Sequence, residues 1–155
     1  MDTQNQIVSF QVDHDIITPG VYVSRIDGDI LTLDLRTRTP NGGEYMDNLT
    51  MHSVEHMFAT YIRNSVLKDK VIYFGPMGCQ TGFYLCLRNS TPKEAYPVIL
   101  QTLEHIVNHR GEMYGNTRKE CGNFANLSLE AAKAECKKYL SYLQTKNQTK
   151  FEYGE

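Results

Sequence analysis

Thr50-Met51-His52-Ser53-Val54-Glu55-His56-Met57-Phe58-Ala59-Thr60-Tyr61-Ile62-Arg63 carries two periodic patterns at once. Met51, Val54, Phe58, Tyr61 and Ile62 recur at three- and four-residue intervals, which line up on one face of an α-helix. The spacing predicts a helix over 50–65 with an apolar stripe that needs a sheet or other helices to cover it. His52, His56, Ala59 and Arg63 fall on a different face, roughly opposite. Side chains at i and i+4 on a helix have Cβ atoms about 5–6 Å apart, so both imidazoles reach a single cation. Two histidines and a third ligand, with one position left open, is how many catalytic metal sites are built. Glu55 stands beside them, where a carboxylate can move protons. The histidine face therefore needs cover from another element or from another subunit.

Working outward, residues 8–13 alternate apolar and polar, the mark of a half-buried strand. Residues 21–26 read as a second strand and 30–35 as a third, with Asp27-Gly28-Asp29 as the turn of a hairpin through 21–36. Pro40-Asn41-Gly42-Gly43 is loop. Two β-rich segments, 70–74 and 81–87, flank a tight loop, Gly75-Pro76-Met77-Gly78-Cys79-Gln80. Thr91, Pro92 and Glu94 form a capping box that starts a helix running to about Asn108, with a kink expected at Pro97 and Gly111 as the stop. A last helix over about 128–143 puts Leu129, Ala132, Cys136, Tyr139, Leu140 and Leu143 on one face. The polar tail after Lys146 is expected to fray, so residues 1–7 and 147–155 are read as flexible termini of a single catalytic domain, 1–155. The fold class is α+β: a mostly antiparallel sheet packed against about three main helices.

Bulk properties narrow the function. The 155 residues suffice for one real core, and 41% hydrophobic with 22% charged residues is ordinary for a globular domain. A net charge of −2 gives no reason to expect nucleic acid or an anionic membrane surface as partner. No apolar run reaches the length of a membrane span. The opening residues lack the basic flank and apolar core of a secretory signal. Four scattered cysteines, Cys79, Cys86, Cys121 and Cys136, are too few for a disulfide scaffold and point to free thiols in a reducing cytoplasm.

The chain contains its own control for the histidine pair. His105 and His109 are also four apart on a helix, but no carboxylate lies between them and they sit at the margin of an apolar stripe; they read as structural or surface histidines. The pattern H-x-x-E-H is also the zinc signature of one metalloprotease class, so a small zinc peptidase is a rival reading. The third ligand must come from elsewhere. Cys79 and Cys121 both sit in glycine-flanked loops that can present a sulfur, whereas Cys86 and Cys136 read as small buried hydrophobes. Two neutral imidazoles and one thiolate leave a divalent cation with a net charge of about +1, which preserves its Lewis acidity. The remaining loop thiol, close to a cation, is suited to act as base or nucleophile.

Three motifs, His52-x-x-Glu55-His56, Gly75-Pro76-Met77-Gly78-Cys79-Gln80-Thr81-Gly82 and Glu120-Cys121-Gly122, occur in an order and spacing that resembles the S-ribosylhomocysteine lyase family, the producers of the autoinducer-2 precursor. Ser9-Phe10-Gln11-Val12-Asp13-His14, Asp34-Leu35-Arg36 and Pro40-Asn41 fit as well, so the resemblance runs from about residue 9 to 143. It implies His52, His56 and Cys121 as metal ligands, with Fe(II) as the native ion and zinc or cobalt as replacements. Cys79 and Glu55 match the two general acid/base residues, and Ser9, His14 and Arg36 match positions lining the substrate site. It also implies a homodimer with active sites at the subunit interface. The implied chemistry is two carbonyl shifts along a ribose chain, then β-elimination that releases homocysteine and 4,5-dihydroxy-2,3-pentanedione. A non-catalytic metal-binding domain of the same fold is the other alternative.

The chain departs from the family pattern in two places. An aspartate usually stands six residues before the catalytic cysteine and often a serine four before it; here those positions hold Tyr73 and Gly75. The segment between His14 and Arg36 is also shorter than the pattern.

Overall fold

The computed structural model describes residues 6–154; the expectation of a flexible start at 1–5 lies outside the described residues. The chain runs α1 (Val8–Gln11), β1 (Gly20–Asp27), β2 (Ile30–Arg36), α2 (Asn48–Arg63), β3 (Val71–Pro76), β4 (Gly82–Arg88), α3 (Pro92–Val107) and α4 (Leu129–Lys146). The strands form one antiparallel sheet in the order β1-β2-β4-β3. The expected α+β class holds. The β1–β2 hairpin turns at Gly28, whose φ of +60° suits the first central position of a tight two-residue turn.

Strand alternation decides what the sheet buries. Leu31, Leu33 and Leu35 of β2 pair with Leu87, Leu85 and Phe83 of β4, and all six are buried. They share one core with Met51, Val54, Phe58 and Ile62 of α2, Ile99, Leu103 and Ile106 of α3, and Cys136, Tyr139 and Leu143 of α4. The stacked rings of Phe58, Phe74 and Phe83 join α2 to the sheet. Fully burying each of these large side chains contributes about 1.5–3 kcal/mol. The 50–65 stripe thus meets the sheet as its spacing predicts. The α2 helix begins slightly earlier than expected, because Asp47 caps it by accepting from the Thr50 amide at 2.8 Å. Thr91 caps α3 in the expected way, accepting from the Glu94 amide, and the helix continues through Pro97 on its exposed side.

Two expectations fail. The segment at 8–13 is not a strand: it holds the single turn of α1, without a sheet neighbour and with no buried residue. Alternation alone makes a strand only where an edge offers hydrogen bonds, and the β1 edge is already taken. The C-terminal tail takes it, which is the second correction. The tail is not frayed: the Val23 amide donates to Phe151 O at 2.7 Å, the Gln148 side chain pairs with both main-chain groups of Val21, and Phe151 is buried. An edge strand exposes unpaired amides and carbonyls, and this strap covers those of β1. No described helix is long and apolar enough to cross a membrane.

Candidate metal and catalytic site

The i, i+4 spacing on α2 puts His52 and His56 on the half-buried side of the helix, turned toward the loop between α3 and α4. That loop supplies two main-chain carbonyls. His52 Nδ1 lies 2.8 Å from Asn126 O and His56 Nδ1 lies 2.9 Å from Tyr114 O. A carbonyl oxygen only accepts, so each Nδ1 carries the proton and each Nε2 is left with a free lone pair. The same loop brings in Cys121, whose Sγ is 3.4 Å from His52 Nε2. The ligand atoms of His52, His56 and Cys121 all lie within 4.8 Å of one another. Tetrahedral coordination at ordinary Zn–N and Zn–S lengths separates ligand atoms by about 3–4 Å, so the donor set fits a single divalent cation. Fixed tautomers held by outer hydrogen bonds are the usual support of such ligands.

The loop is held by side chains of α2 itself. Buried Ser53 accepts from the Ser128 amide at 2.8 Å, and Asn126 Nδ2 donates to Asn48 Oδ1 at 2.6 Å. Gly115, with φ +67°, passes so close that a Cβ there would lie 2.8 Å from His56 Nδ1. Glu55 is half-buried and shares with His52 an open concavity of about 260 Å3, walled by Asn48, Met51, Pro76, Asn123 and Asn126. The concavity leaves room for a small molecule beside His52 and the carboxylate.

Pro76 also begins the loop that carries Cys79. This thiol is exposed, 3.0 Å from Thr81 Oγ1 and 3.9 Å from Arg36 Nη1, and opens on a separate concavity with His14, Pro40, Asn41 and Tyr45. Arg36, which the resemblance implies lines the substrate site, sits at 2% exposure. Its Nε and Nη2 pair with Asp34, at 3.1 and 2.6 Å, and Nη1 donates to Thr81 at 2.8 Å. Burial by itself would lower the pKa of Arg36, but the Asp34 carboxylate outweighs it and holds the guanidinium above its ordinary value. Its remaining reach is toward Cys79.

Ser9 is not brought together with these residues. It lines a third concavity with Ile7, Ser24, Thr32, Tyr73 and Cys86 on the sheet face away from the helices. The two departures from the family pattern meet there: Tyr73 lies across Gly75, so a Cβ at Gly75 would fall only 2.0 Å from the phenol oxygen. Tyr73 and Gly75 are thus a matched pair, the ring occupying space that any side chain at 75 would need. His105 is exposed and His109 buried, and neither joins the ligand cluster. His109 is buried between Tyr61 Oη, 2.7 Å from Nδ1, and Glu112 O, 2.8 Å from Nε2, and the His105 ring stacks on Tyr61. The residues that sequence reasoning missed are Tyr114, Gly115 and Asn126, which act through backbone atoms or backbone room. Gly115 alone left a trace, as a glycine in a loop.

A family model described as S-ribosylhomocysteinase (LuxS) matches residues 7–150. The S-ribosylhomocysteine lyase of Finegoldia magna is 42% identical over 144 residues, spanning 90% of this chain and 92% of its own. That of Borrelia garinii subsp. bavariensis is 39% identical over 154 residues, spanning 96% and 98%. That of Clostridium acetobutylicum is 37% identical over 156, spanning 97% and 99%. With a family match and relatives that run nearly end to end along it, this chain belongs to the S-ribosylhomocysteinase (LuxS) family, a family of carbon–sulfur lyases.

Proposed function

We propose that the chain is a metal-dependent lyase that cleaves the thioether of S-ribosylhomocysteine to homocysteine and 4,5-dihydroxy-2,3-pentanedione, the autoinducer-2 precursor. The observation that carries the metal dependence is the pair of carbonyls, Asn126 O and Tyr114 O, that occupy both Nδ1 atoms and leave both Nε2 lone pairs free in a cluster with the Cys121 sulfur. His52, His56 and Cys121 hold the ion, Fe(II) in our reading, with zinc or cobalt as replacements; imidazole and thiolate donors suit all three. When bound, the ion supplies Lewis acidity that polarises a sugar carbonyl and acidifies the C–H bonds beside it.

The protein's own groups then move protons. Loss of the C2 proton and its return at C1, with the O2 hydroxyl proton passing to O1, carries the carbonyl from C1 to C2, and a second round carries it to C3. Proton loss at C4 expels homocysteine from C5, the departing sulfur taking up a proton. No electron is transferred overall. Cys79 and Glu55 share these transfers, each serving the face of the bound chain that it can reach. Thr81 and Arg36 hold the Cys79 sulfur in place, and His14, in the same concavity, binds polar groups of the substrate.

A homodimer completes the site in this reading. Ile7 and Phe10, at 52% and 70% exposure, leave an apolar N-terminal segment without cover in the single chain. We assign Ser9, which lies apart from Cys79 in its own chain, to the substrate site across that interface. The exposed Cys79 thiol suits a reducing cytoplasm, where homocysteine returns to the methyl cycle and the second product serves quorum sensing.

The test is anaerobic thiol release from S-ribosylhomocysteine with Fe(II) or Co(II) loaded, beside the chelated protein and Cys121→Ala. Release only by the loaded native chain is expected. Equal release by chelated protein refutes the metal dependence. No release with the ion bound favours the non-catalytic metal-binding alternative, and peptide hydrolysis in a casein assay would favour the peptidase.

A further inference from the structure

The C-terminal strap is tied to more than the β1 edge. Tyr153 stacks on Tyr22, with ring centroids 5.2 Å apart, and its hydroxyl donates to Asp34 Oδ2 at 2.7 Å. Asp34 is wholly buried, and Oδ2 accepts from Arg36 Nη2 as well. Arg36 in turn stands 3.9 Å from the Cys79 sulfur. An unbroken line of polar contacts therefore links Tyr153, Asp34, Arg36 and Cys79, entering from the last residues of the chain.

We propose that Tyr153 is a positioning residue for the Cys79 thiolate, acting by sharing the Asp34 carboxylate with Arg36. A buried carboxylate that faces only one cation neutralises most of its field. A second donor takes up part of the carboxylate's charge, so more of the Arg36 charge is felt by the sulfur on its other side. The phenol is suited to a constant role. Burial first, and the Asp34 charge second, push its pKa well above the ordinary tyrosine range, so it remains a donor at any working pH. The other groups around this line are Tyr84 and Tyr139, each raised by burial and then by Asp34, Ser24 at the Tyr153 hydroxyl, and Thr81 and His14 beside the sulfur. Tyr153 and Arg36 thus share one carboxylate oxygen, Asp34 Oδ2.

The proposal rests on the reading of Cys79 as an acid/base group, and the two fail separately. In Tyr153→Phe the ring and its stacking remain, and only the donor is lost. The measurement is the pH profile of Cys79 alkylation by iodoacetamide, followed on the Cys79 peptide by mass spectrometry, with kcat and KM for S-ribosylhomocysteine and a thermal melt as the check on folding. The alkylation profile is expected to move to higher pH by about half a unit, with a threefold slower reaction at neutral pH. The kcat falls by a similar factor and KM stays within about twofold of the native value. An unchanged alkylation profile overturns the proposal, whether or not kcat falls, because a merely structural tyrosine would not move it. If Cys79→Ala keeps its turnover, the acid/base reading of Cys79 falls instead, while the alkylation shift still reports on Tyr153.

Discussion

Each histidine of the α2 pair has two ring nitrogens, and what distinguishes a ligand from a surface histidine is which one keeps its lone pair. His52 and His56 have that choice made for them by two carbonyls, and His109 has both nitrogens spent on Tyr61 and Glu112. The carbonyl on His56 depends on Gly115, which has neither the φ nor the space for a side chain. Gly115→Ala is expected to displace Tyr114 O and weaken metal binding by about 10- to 100-fold, as loss of an outer-shell partner does; competition with a chromogenic chelator measures this. Glu55→Gln keeps size and burial but cannot accept a proton. It should bind the ion as tightly as the native chain while turnover falls at least about 100-fold, checked by metal analysis beside the thiol-release assay. Of these residues, the sequence exposed those that act through side chains. His52, Glu55, His56 and the two loop cysteines have recognisable chemistry, whereas Tyr114 and Asn126 contribute a carbonyl that any residue possesses.

At the scale of elements, the site is a helix face closed by a loop, and the closure rests on few bonds. Ser53 is buried among the apolar residues of α2 because it carries the junction: it donates to Leu49 O and accepts from the Ser128 amide, at the N-cap of α4. Ser53→Ala strands that amide and should cost about 1–2 kcal/mol, read from the midpoint of urea unfolding. The strand expected at 8–13 and the frayed end expected after Lys146 failed for one reason. Local pattern says what a segment can pair with, and a single β1 edge cannot serve both termini. Gln148, Phe151 and Tyr153 win it, through two hydrogen bonds to Val21, a buried ring and the bond to Asp34. The hairpin at 20–36 and the three long helices were legible, because turn chemistry, caps and 3.6-residue spacing are local properties.

At the scale of the molecule, the sheet face away from the helices carries the concavity with Tyr73, Ser9 and Ile7, while Phe10 stands out from α1. In the dimer reading this apolar segment is the natural seal between subunits. Phe10→Asp places a charge there and is expected to shift the protein to monomer in sedimentation velocity, with loss of thiol release but retention of the metal; an active monomer would refute the interface reading. The sequence by itself determined the kinds of element and the chemical kinds of ligand, because periodicity, caps and side-chain chemistry act over a few residues. Only the tertiary structure decided how the loop between α3 and α4 carries Cys121 to the histidines, that Asp34 and Thr81 hold Arg36 beside Cys79, and that the tail reaches Asp34. Those outcomes depend on contacts between segments far apart in the chain and on backbone carbonyls, which have no signature in the order of residues.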